Sequence, residues 1–212
     1  MRGSAMSFEV DVAITRGDRR IATRFAGTER VVALFGPSGA GKTTILDAVA
    51  GLLTPDAGRI AVAGEVLFDA ARGLDIAAER RACGYVFQDG RLFLHRSVRD
   101  NLLFGWRLSP PERRFLSLEE AVAFLGIGDL LGRRPRTLSG GEAQRVAIGR
   151  ALLAGPRFLL MDEPLSSLDA PRREEILRVI ERIRDELGLP ILYVSHDRAE
   201  IERLAGQVVE IG

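Results

Sequence analysis

The chain has 212 residues, 46% of them hydrophobic and 28% charged, and a net charge of +1. These values are ordinary for one globular domain, or for one domain with a small subdomain, and they give no support for a nucleic-acid partner. No segment approaches the roughly 18 uninterrupted apolar residues of a membrane span. The single cysteine, Cys83, excludes a disulfide framework and favours the reducing cytosol.

The first part of the chain is predicted to be rich in strands. From Phe8 to Phe35, apolar and polar residues alternate as they do in half-buried strands. Further strands are predicted over residues 59–63, 65–68 and 84–87. We expect the N-terminal strands to form an antiparallel β region.

A glycine-rich loop separates a predicted strand from a predicted helix. Val31 to Phe35 is a continuous apolar run of the buried-strand type, and residues 43–53 have the pattern of a helix that ends before Pro55. The loop follows the pattern Gly-x4-Gly-Lys-Thr and comprises Gly36, Pro37, Ser38, Gly39, Ala40, Gly41, Lys42, Thr43 and Thr44. The alternative is a turn that only opens a helix, but the flanking strand and helix favour a phosphate-binding P-loop.

Lys42 is the only lysine, since the other 29 of the 30 basic residues are arginines. A lysine in so arginine-rich a chain indicates a position that needs a compact ammonium group and not a planar guanidinium. In a P-loop the backbone N–H groups surround the phosphates, the lysine reaches the β- and γ-phosphates, and the hydroxyl of Thr43 ligates Mg²⁺. The loop thus predicts a nucleotide site.

The second half of the chain alternates between helices and strands. Residues 97–131 have helical spacing, interrupted at Pro110 and Pro111. After Pro135, the predicted helices cover residues 141–153, 170–187 and 198–205, and the predicted strands cover residues 157–161, 190–195 and 207–211. This alternation predicts an α/β fold, a P-loop NTPase with a mostly parallel core sheet and an inserted α-helical subdomain.

Two acidic residues follow the apolar run at residues 158–161. A buried strand that ends in Asp162 and Glu163 delivers carboxylates to the carboxyl edge of the sheet, where open α/β sheets bind ligands. Asp162 is the expected Mg²⁺ partner, and Glu163 is the expected general base for the attacking water. An acidic surface turn is the alternative, which the upstream P-loop disfavours.

The segment Leu138-Ser139-Gly140-Gly141-Glu142 is by itself only a good helix start, with Ser139 as the cap and Glu142 as its capping-box acid. Placed between the P-loop and the acidic pair, however, the segment resembles the signature motif of ATP-binding-cassette (ABC) ATPases. Three further motifs stand in that family's order and resemble its Q-loop, D-loop and switch histidine; they contain Gln88, Asp169 and His196. The resemblance extends from about residue 8 to residue 212.

The resemblance implies roles for these residues. Gln88 would contact Mg²⁺ and sense the γ-phosphate, His196 would hold the attacking geometry, and Asp169 would support a partner subunit. The signature residues Ser139, Gly140 and Gly141 would cap the γ-phosphate bound by the opposite subunit. Two copies of the chain, arranged head-to-tail, would then enclose two ATP molecules. Arg16 stands where the family usually stacks an aromatic residue on adenine; a guanidinium can stack too, and a solvated surface position is the alternative.

The expected domain organisation follows the same resemblance. Residues 6–88 and 136–212 would form the RecA-like ATP-binding core with its β subdomain, and residues 89–135 would form the helical subdomain. Residues 1–5 are typical of a vector-derived leader, which leaves Met6 as a candidate for the natural start.

The resemblance is to bacterial importer ATPases, most of all to those of molybdate or tungstate importers, with sulfate or another small solute as the alternative cargo. It implies a membrane permease as partner, a periplasmic solute-binding protein, and a peripheral position on the cytoplasmic face of the inner membrane. A soluble ABC ATPase that acts on DNA or ribosomes is the other class; the short insert and the net charge of +1 disfavour it. Such importer subunits usually carry a further C-terminal regulatory domain, which is either removed here or lacking.

Overall fold

The structure, a computed structural model, describes residues 7–212, so the predicted leader lies outside the described residues. Ten strands form two sheets within this described range. The strands are β1 (Phe8–Arg16), β2 (Arg19–Gly27), β3 (Val31–Phe35), β4 (Ala57–Val62), β5 (Glu65–Asp69), β6 (Leu74–Asp75), β7 (Cys83–Val86), β8 (Phe158–Asp162), β9 (Ile191–Val194) and β10 (Gln207–Glu210). The first sheet has the order β2-β1-β4-β5-β6 and is antiparallel throughout. The second has the order β10-β3-β9-β8-β7 and is parallel throughout.

Residues 7–212 contain six α-helices. They are α1 (Lys42–Ala50), α2 (Val98–Leu108), α3 (Leu118–Leu125), α4 (Gly140–Leu153), α5 (Ala170–Arg182) and α6 (Arg198–Leu204). Helices α2 and α3 pack against α4. Between α2 and α3 the chain leaves the helical conformation at Ser109, where Pro110 and Pro111 predict the break. None of the helices in residues 7–212 is both long enough and apolar enough to cross a membrane.

The core strands are buried on both faces, which explains their continuous apolar sequences. Side chains alternate along each strand, so neighbouring residues belong to different cores. Val32 and Leu160, for example, pack with α1 and the antiparallel sheet. Val31 and Leu159 pack with the helices on the opposite face. Helix α1, which follows the glycine-rich loop, is therefore held between the two sheets.

The predicted fold class is confirmed, but two helix ends were wrong. Helix α1 ends at Ala50 and not at Leu53, because Gly51 adopts a left-handed conformation (φ +79°) and its N–H caps the helix. The predicted helix over residues 170–187 is α-helical only to Arg182. A π-helical turn (Ile183–Leu187) follows and ends at Gly188, whose φ is +65°. Glycine takes such φ values without strain, and the sequence pattern alone did not show which glycine would end which helix.

The parallel sheet brings four loops to one edge. Strands β3, β7, β8 and β9 run in the same direction, so the segments that follow them all emerge at the carboxyl edge. These segments contain the glycine-rich loop, Gln88, the Asp162–Glu163 pair and His196. Residues that are up to about 160 positions apart in sequence thereby meet at the edge where open α/β sheets bind ligands.

Candidate nucleotide site

The glycine-rich loop turns directly into α1. Gly41 is the N-cap residue, with φ +100°, and its carbonyl accepts the N–H of Ile45 at 3.0 Å. The ammonium group of Lys42 is buried and donates to the carbonyls of Gly36 (2.7 Å) and Pro37 (2.9 Å). The unpaired N–H groups of the first helical turn and the Lys42 charge therefore meet at one point, which suits a phosphate.

A cleft of about 380 Å³ opens beside this loop, and we call it the P-loop cleft. Its size falls within the usual range for small-molecule sites, about 300–1,000 Å³. It is lined by Arg16, Arg19, Ile21, Ser38, Gly39, Gly41, Lys42, Thr43, Thr44, Gln88 and Glu163. Predicted residues from the loop, from the Q-loop-like motif and from the acidic pair thus share one cavity.

The hairpin between β1 and β2 supplies the far wall of the P-loop cleft. Arg16 lies there, and its side chain is exposed; its predicted contact with the base stays a prediction. Two wall residues were missed: Arg19, which donates to the carbonyl of Gly39 at 3.0 Å, and Ile21, which packs against Gly41. The register pairs Arg16 with Arg19, and residues 19 and 21 share a face of β2. A two-residue turn at Gly17 was the available sequence signal for this hairpin. It would identify Arg19 and Ile21 as wall residues only if the side of the hairpin that faces the loop were known.

Thr43 and Asp162 are joined across the site. The Thr43 hydroxyl donates to an Asp162 carboxylate oxygen at 3.1 Å, although the residues are 119 positions apart. Burial raises the pKa of Asp162; the Thr43 hydrogen bond offsets part of that rise, and the nearby Glu163 charge adds to it. A carboxylate whose charge is destabilised in this way gains from a bound cation.

A second cleft of about 510 Å³, the Asp162 cleft, shares Thr43 and Gln88 with the first. It is lined by Thr43, Asp47, Tyr85, Phe87, Gln88, Asp89, Arg91, Asp162, Ser166 and Ser167. All three residues predicted to ligate Mg²⁺, namely Thr43, Gln88 and Asp162, therefore face it. Their donors are oxygen atoms of a hydroxyl, an amide and a carboxylate, which are the ligands that Mg²⁺ prefers. Residues 7–212 contain no cluster of three or more His, Cys, Asp or Glu side chains that would suit a metal held by protein alone.

Glu163 and His196 form a pair at the mouth of the site. Nδ1 of His196 lies 3.1 Å from a carboxylate oxygen of Glu163. Glu163 has φ +43°, which is rare for a residue with a side chain, and its N–H donates to the carbonyl of Val194 at 3.0 Å. Strain of this kind persists only where the surrounding structure holds it, as in many active sites.

Gln88 is connected to the same turn. Its side-chain N–H donates to the Ser166 hydroxyl at 3.2 Å, and that hydroxyl donates to the carbonyl of Glu163 at 3.0 Å. The strand-to-helix loop that carries the acidic pair is therefore linked to the segment that follows β7.

The signature residues lie elsewhere. Ser139 caps α4 through a capping box: its hydroxyl accepts the N–H of Glu142 (3.3 Å), and the Glu142 carboxylate accepts the N–H of Ser139 (2.6 Å). Asp169 caps α5 by accepting the N–H of Arg172 at 3.1 Å. Neither Ser139, Gly140, Gly141 nor Asp169 lines either cleft. The structure thus brings the P-loop, Gln88 and the acidic pair together, and His196, which lines neither cleft, joins them through its contact with Glu163. The signature residues have no such contact within residues 7–212 and lie outside.

The chain is similar to one protein family and to several known proteins. The family described as ABC transporter matches residues 26–166. The molybdenum import ATP-binding protein ModC of Mesorhizobium japonicum is 54% identical over 204 residues, which cover 96% of this chain and 55% of that protein. The ModC of Brucella abortus is 56% identical over 201 residues, covering 94% and 55%. The chain therefore spans about half the length of these curated relatives.

A solved structure, described as the dimeric structure of MJ0796, a bacterial ABC transporter cassette, is also similar. Its TM-score is 0.76 at 25% sequence identity, and the match covers 96% of this chain and 94% of that one. The family match includes the glycine-rich loop, the signature segment and the acidic pair, and the two-sheet architecture is shared over almost the whole chain. This chain belongs to the ABC transporter family.

Proposed function

We propose that the chain binds ATP together with Mg²⁺ and hydrolyses the ATP to ADP and phosphate. The observation that carries this proposal is the Thr43–Asp162 hydrogen bond of 3.1 Å, with Lys42 and Glu163 lining the adjoining P-loop cleft. A phosphate-binding loop, a buried carboxylate that gains from a cation, and a carboxylate able to accept a proton are thereby within one site.

The triphosphate is held by charge and by backbone N–H groups. The Lys42 ammonium has three donors and bonds to the Gly36 and Pro37 carbonyls through two of them, so it can turn toward phosphate oxygens. The N-terminus of α1 adds positive potential at the same point. Arg16 and Arg19 extend the positive wall toward the hairpin, where the base and ribose have room.

Mg²⁺ fits beside the triphosphate. Thr43 and Asp162 would hold it, with Gln88 close by, and the remaining ligands would be phosphate oxygens and water. When bound, the ion neutralises negative charge on the phosphates and so favours phosphoryl transfer.

Glu163 and His196 perform the remaining chemistry. Glu163 accepts a proton from a water molecule as the water oxygen bonds to the γ-phosphorus and the bond to the ADP oxygen breaks. The products are ADP and inorganic phosphate, and the proton leaves from Glu163. His196 lies 3.1 Å from Glu163 and orients that carboxylate and the γ-phosphate toward each other.

A second copy of the chain completes the site. Ser139, Gly140 and Gly141 stand at the N-terminus of the 14-residue helix α4 but lie outside both clefts. The Ser139 N–H is bonded to Glu142, so the N–H groups of Gly140 and Gly141 and the Ser139 hydroxyl are the groups offered to a nucleotide bound to another copy. Twofold symmetry then places each signature against the partner's P-loop, with Asp169 at the contact. The dimeric description of the similar cassette MJ0796 supports this arrangement.

The likeness to molybdenum import proteins supports the role in transport. Residues 6–88 and 136–212 act as the nucleotide-binding core and residues 89–135 as the helical subdomain. The dimer docks on a membrane permease at the cytoplasmic face, and ATP-driven closure is coupled to molybdate or tungstate uptake from a periplasmic binding protein. Sulfate or another small solute is the second candidate cargo.

Phosphate release by the purified chain tests the catalytic part. With ATP and Mg²⁺, Glu163→Gln should slow turnover by about 100- to 10,000-fold, since a general base is lost. Glu202→Gln, an exposed change on α6, serves as the matched control and should keep the wild-type rate. Hydrolysis by the Glu163→Gln variant at the wild-type rate would remove Glu163 from its role.

Purification of the tagged protein from membranes tests the transport part. A co-purifying permease whose ATPase activity is stimulated by the molybdate-loaded binding protein, and not by the sulfate-loaded one, supports the proposed cargo. Recovery of ribosomes or DNA instead of a permease would contradict it.

A further inference from the structure

Glu200 is a buried carboxylate that takes no direct part in the chemistry above. It lies on α6 and is only 5% exposed. One of its oxygens accepts two hydroxyl hydrogen bonds, from Tyr193 at 2.9 Å and from Ser195 at 2.8 Å. Both donors lie shortly before His196 in the sequence: Tyr193 is within β9, and Ser195 is the residue between β9 and His196.

A carboxylate is costly to bury unless its oxygens are hydrogen-bonded or paired with a charge. Here one oxygen has two donors, and the other lies 3.8 Å from Nε of Arg173. Burial, followed by the Glu200 charge, raises the pKa of Tyr193 well above its ordinary value, so its hydroxyl remains a donor at neutral pH. Two hydroxyl groups and a guanidinium group thus surround the Glu200 carboxylate, and we call Glu200, Tyr193, Ser195 and Arg173 the cluster.

The cluster holds the chain on both sides of His196. The Ser195 hydroxyl donates to Glu200 and accepts the N–H of Asp197 at 3.0 Å. The Asp197 carboxylate accepts the N–H of Ala199 at 2.9 Å. The side chain of His196 is itself 55% exposed and has Glu163 as its contact, so its orientation depends on these flanking bonds.

Arg173 connects the same loop to α5. Its guanidinium donates to Asp197 at 3.2 Å and lies 3.8 Å from Glu200, so it contacts two carboxylates around His196. Its backbone N–H donates to the carbonyl of Asp169 at 2.9 Å. Arg173 is thus one helical turn from the residue that, in the proposed dimer, meets the partner.

We propose that Glu200, braced by Arg173, is the positioning residue for His196. It fixes the loop over residues 195–197 so that the imidazole stays against Glu163, and Arg173 ties that loop to the helix that begins at Asp169. The proposal rests on the proposed hydrolysis only for its kinetic test. If Glu200 merely attached α6 to β9, its loss would lower stability without a specific effect on His196.

A double-mutant cycle distinguishes a positioning role of Glu200 from a purely structural one. Glu200→Gln keeps the size of the side chain and one acceptor oxygen for the two hydroxyl groups, but it removes the negative charge beside Arg173 and weakens both hydrogen bonds. In the folded variant we expect kcat for ATP to fall about 10- to 100-fold, because small misplacements of reacting groups have effects of this size, with KM nearly unchanged. In the background of His196→Ala, the same change should add less than about twofold, since its only route of action is then absent. Glu202→Gln on the same helix is the matched control and should retain wild-type kcat.

A spectroscopic measurement covers the case in which these rates are too low to compare. The chain has two histidines, so His95→Asn, a change at an exposed position, leaves His196 as the only imidazole. Its ring should give one sharp set of NMR signals, and Glu200→Gln should broaden or split that set while Glu202→Gln leaves it unchanged.

Independent, multiplicative losses in the cycle would overturn the proposal, as would ring signals that do not respond to Glu200→Gln. The ring measurement needs no nucleotide. If the wild-type chain failed to hydrolyse ATP, the proposed function would fail while the positioning claim would still be decided by NMR.

Discussion

Gly41 is a position where the P-loop is sensitive to a single added methyl group. Its φ of +100° is one that side-chain-bearing residues rarely adopt. A Cβ built there would lie 2.7 Å from Cδ1 of Ile21 and 3.0 Å from Cγ1, both closer than van der Waals contact. Gly41→Ala therefore combines backbone strain with a collision against the hairpin wall of the P-loop cleft.

The two effects can be assigned magnitudes. An alanine in a left-handed conformation costs about 1–2 kcal/mol. Displacing Ile21, whose contacting atoms lie toward the end of a movable side chain, adds about 1 kcal/mol. If the loop relaxes to avoid this cost, its N–H groups leave the phosphate, and the total of about 2–3 kcal/mol appears as a loss of ATP affinity of about 30- to 150-fold.

Isothermal titration with ATP measures this loss. The double variant Gly41→Ala/Ile21→Ala should recover about the collision part, relative to Ile21→Ala alone, and keep the strain part. Gly17→Ala is the matched control, because Gly17 also has a positive φ (+60°) but has no neighbour within 4 Å of a built Cβ. It should lower stability slightly and leave ATP affinity within about twofold. Full ATP affinity in Gly41→Ala would refute the reasoning.

Three further predictions concern single residues. Lys42→Ala should weaken ATP binding about 100-fold, since a charge-assisted contact is lost, and unchanged affinity by calorimetry would contradict this. Asp162→Asn should raise the melting temperature of the nucleotide-free protein at pH 7, because burial raises the Asp162 pKa and so penalises the charged form. The gain in melting temperature should vanish at acidic pH, where the wild-type carboxyl group is also neutral. A gain that does not depend on pH would contradict the raised pKa of Asp162. Arg81→Met should lower stability by about 1–3 kcal/mol in chemical denaturation, because it leaves buried carbonyl groups without their donor. Arg81 is 1% exposed, pairs with Asp75 and donates to the Ala48 carbonyl at the end of α1 (2.7 Å), so a loss below 1 kcal/mol would be unexpected.

The sequence predicted the parts of the site that are encoded locally. The strand, glycine loop and helix around Lys42 are contiguous, and so is the apolar strand that ends in Asp162. Given a parallel sheet, their meeting at one edge follows from topology, and the 3.1 Å contact between Thr43 and Asp162 agrees with it.

Contacts that depend on how distant elements face each other were not predictable. Arg19 and Ile21 read as ordinary positions of a surface strand, yet the hairpin lies over the loop and turns them into walls of the P-loop cleft. Arg81 read as one of many arginines, although it is buried and donates to the carbonyls of Ala48 and Val49 at the end of α1. Glu200 likewise looked like a surface acid of an amphipathic helix. In each case the tertiary packing decides what the side chain contacts.

The dimer is the claim on which the proposed mechanism depends most. Glu163→Gln should retain ATP, because the contacts that bind it remain while the proton acceptor is lost. Size-exclusion chromatography with light scattering, run with ATP and Mg²⁺, should show this variant as a dimer and the nucleotide-free protein as a monomer. A Glu163→Gln variant that binds ATP by calorimetry and yet elutes as a monomer would show that one copy suffices, and it would contradict the shared site.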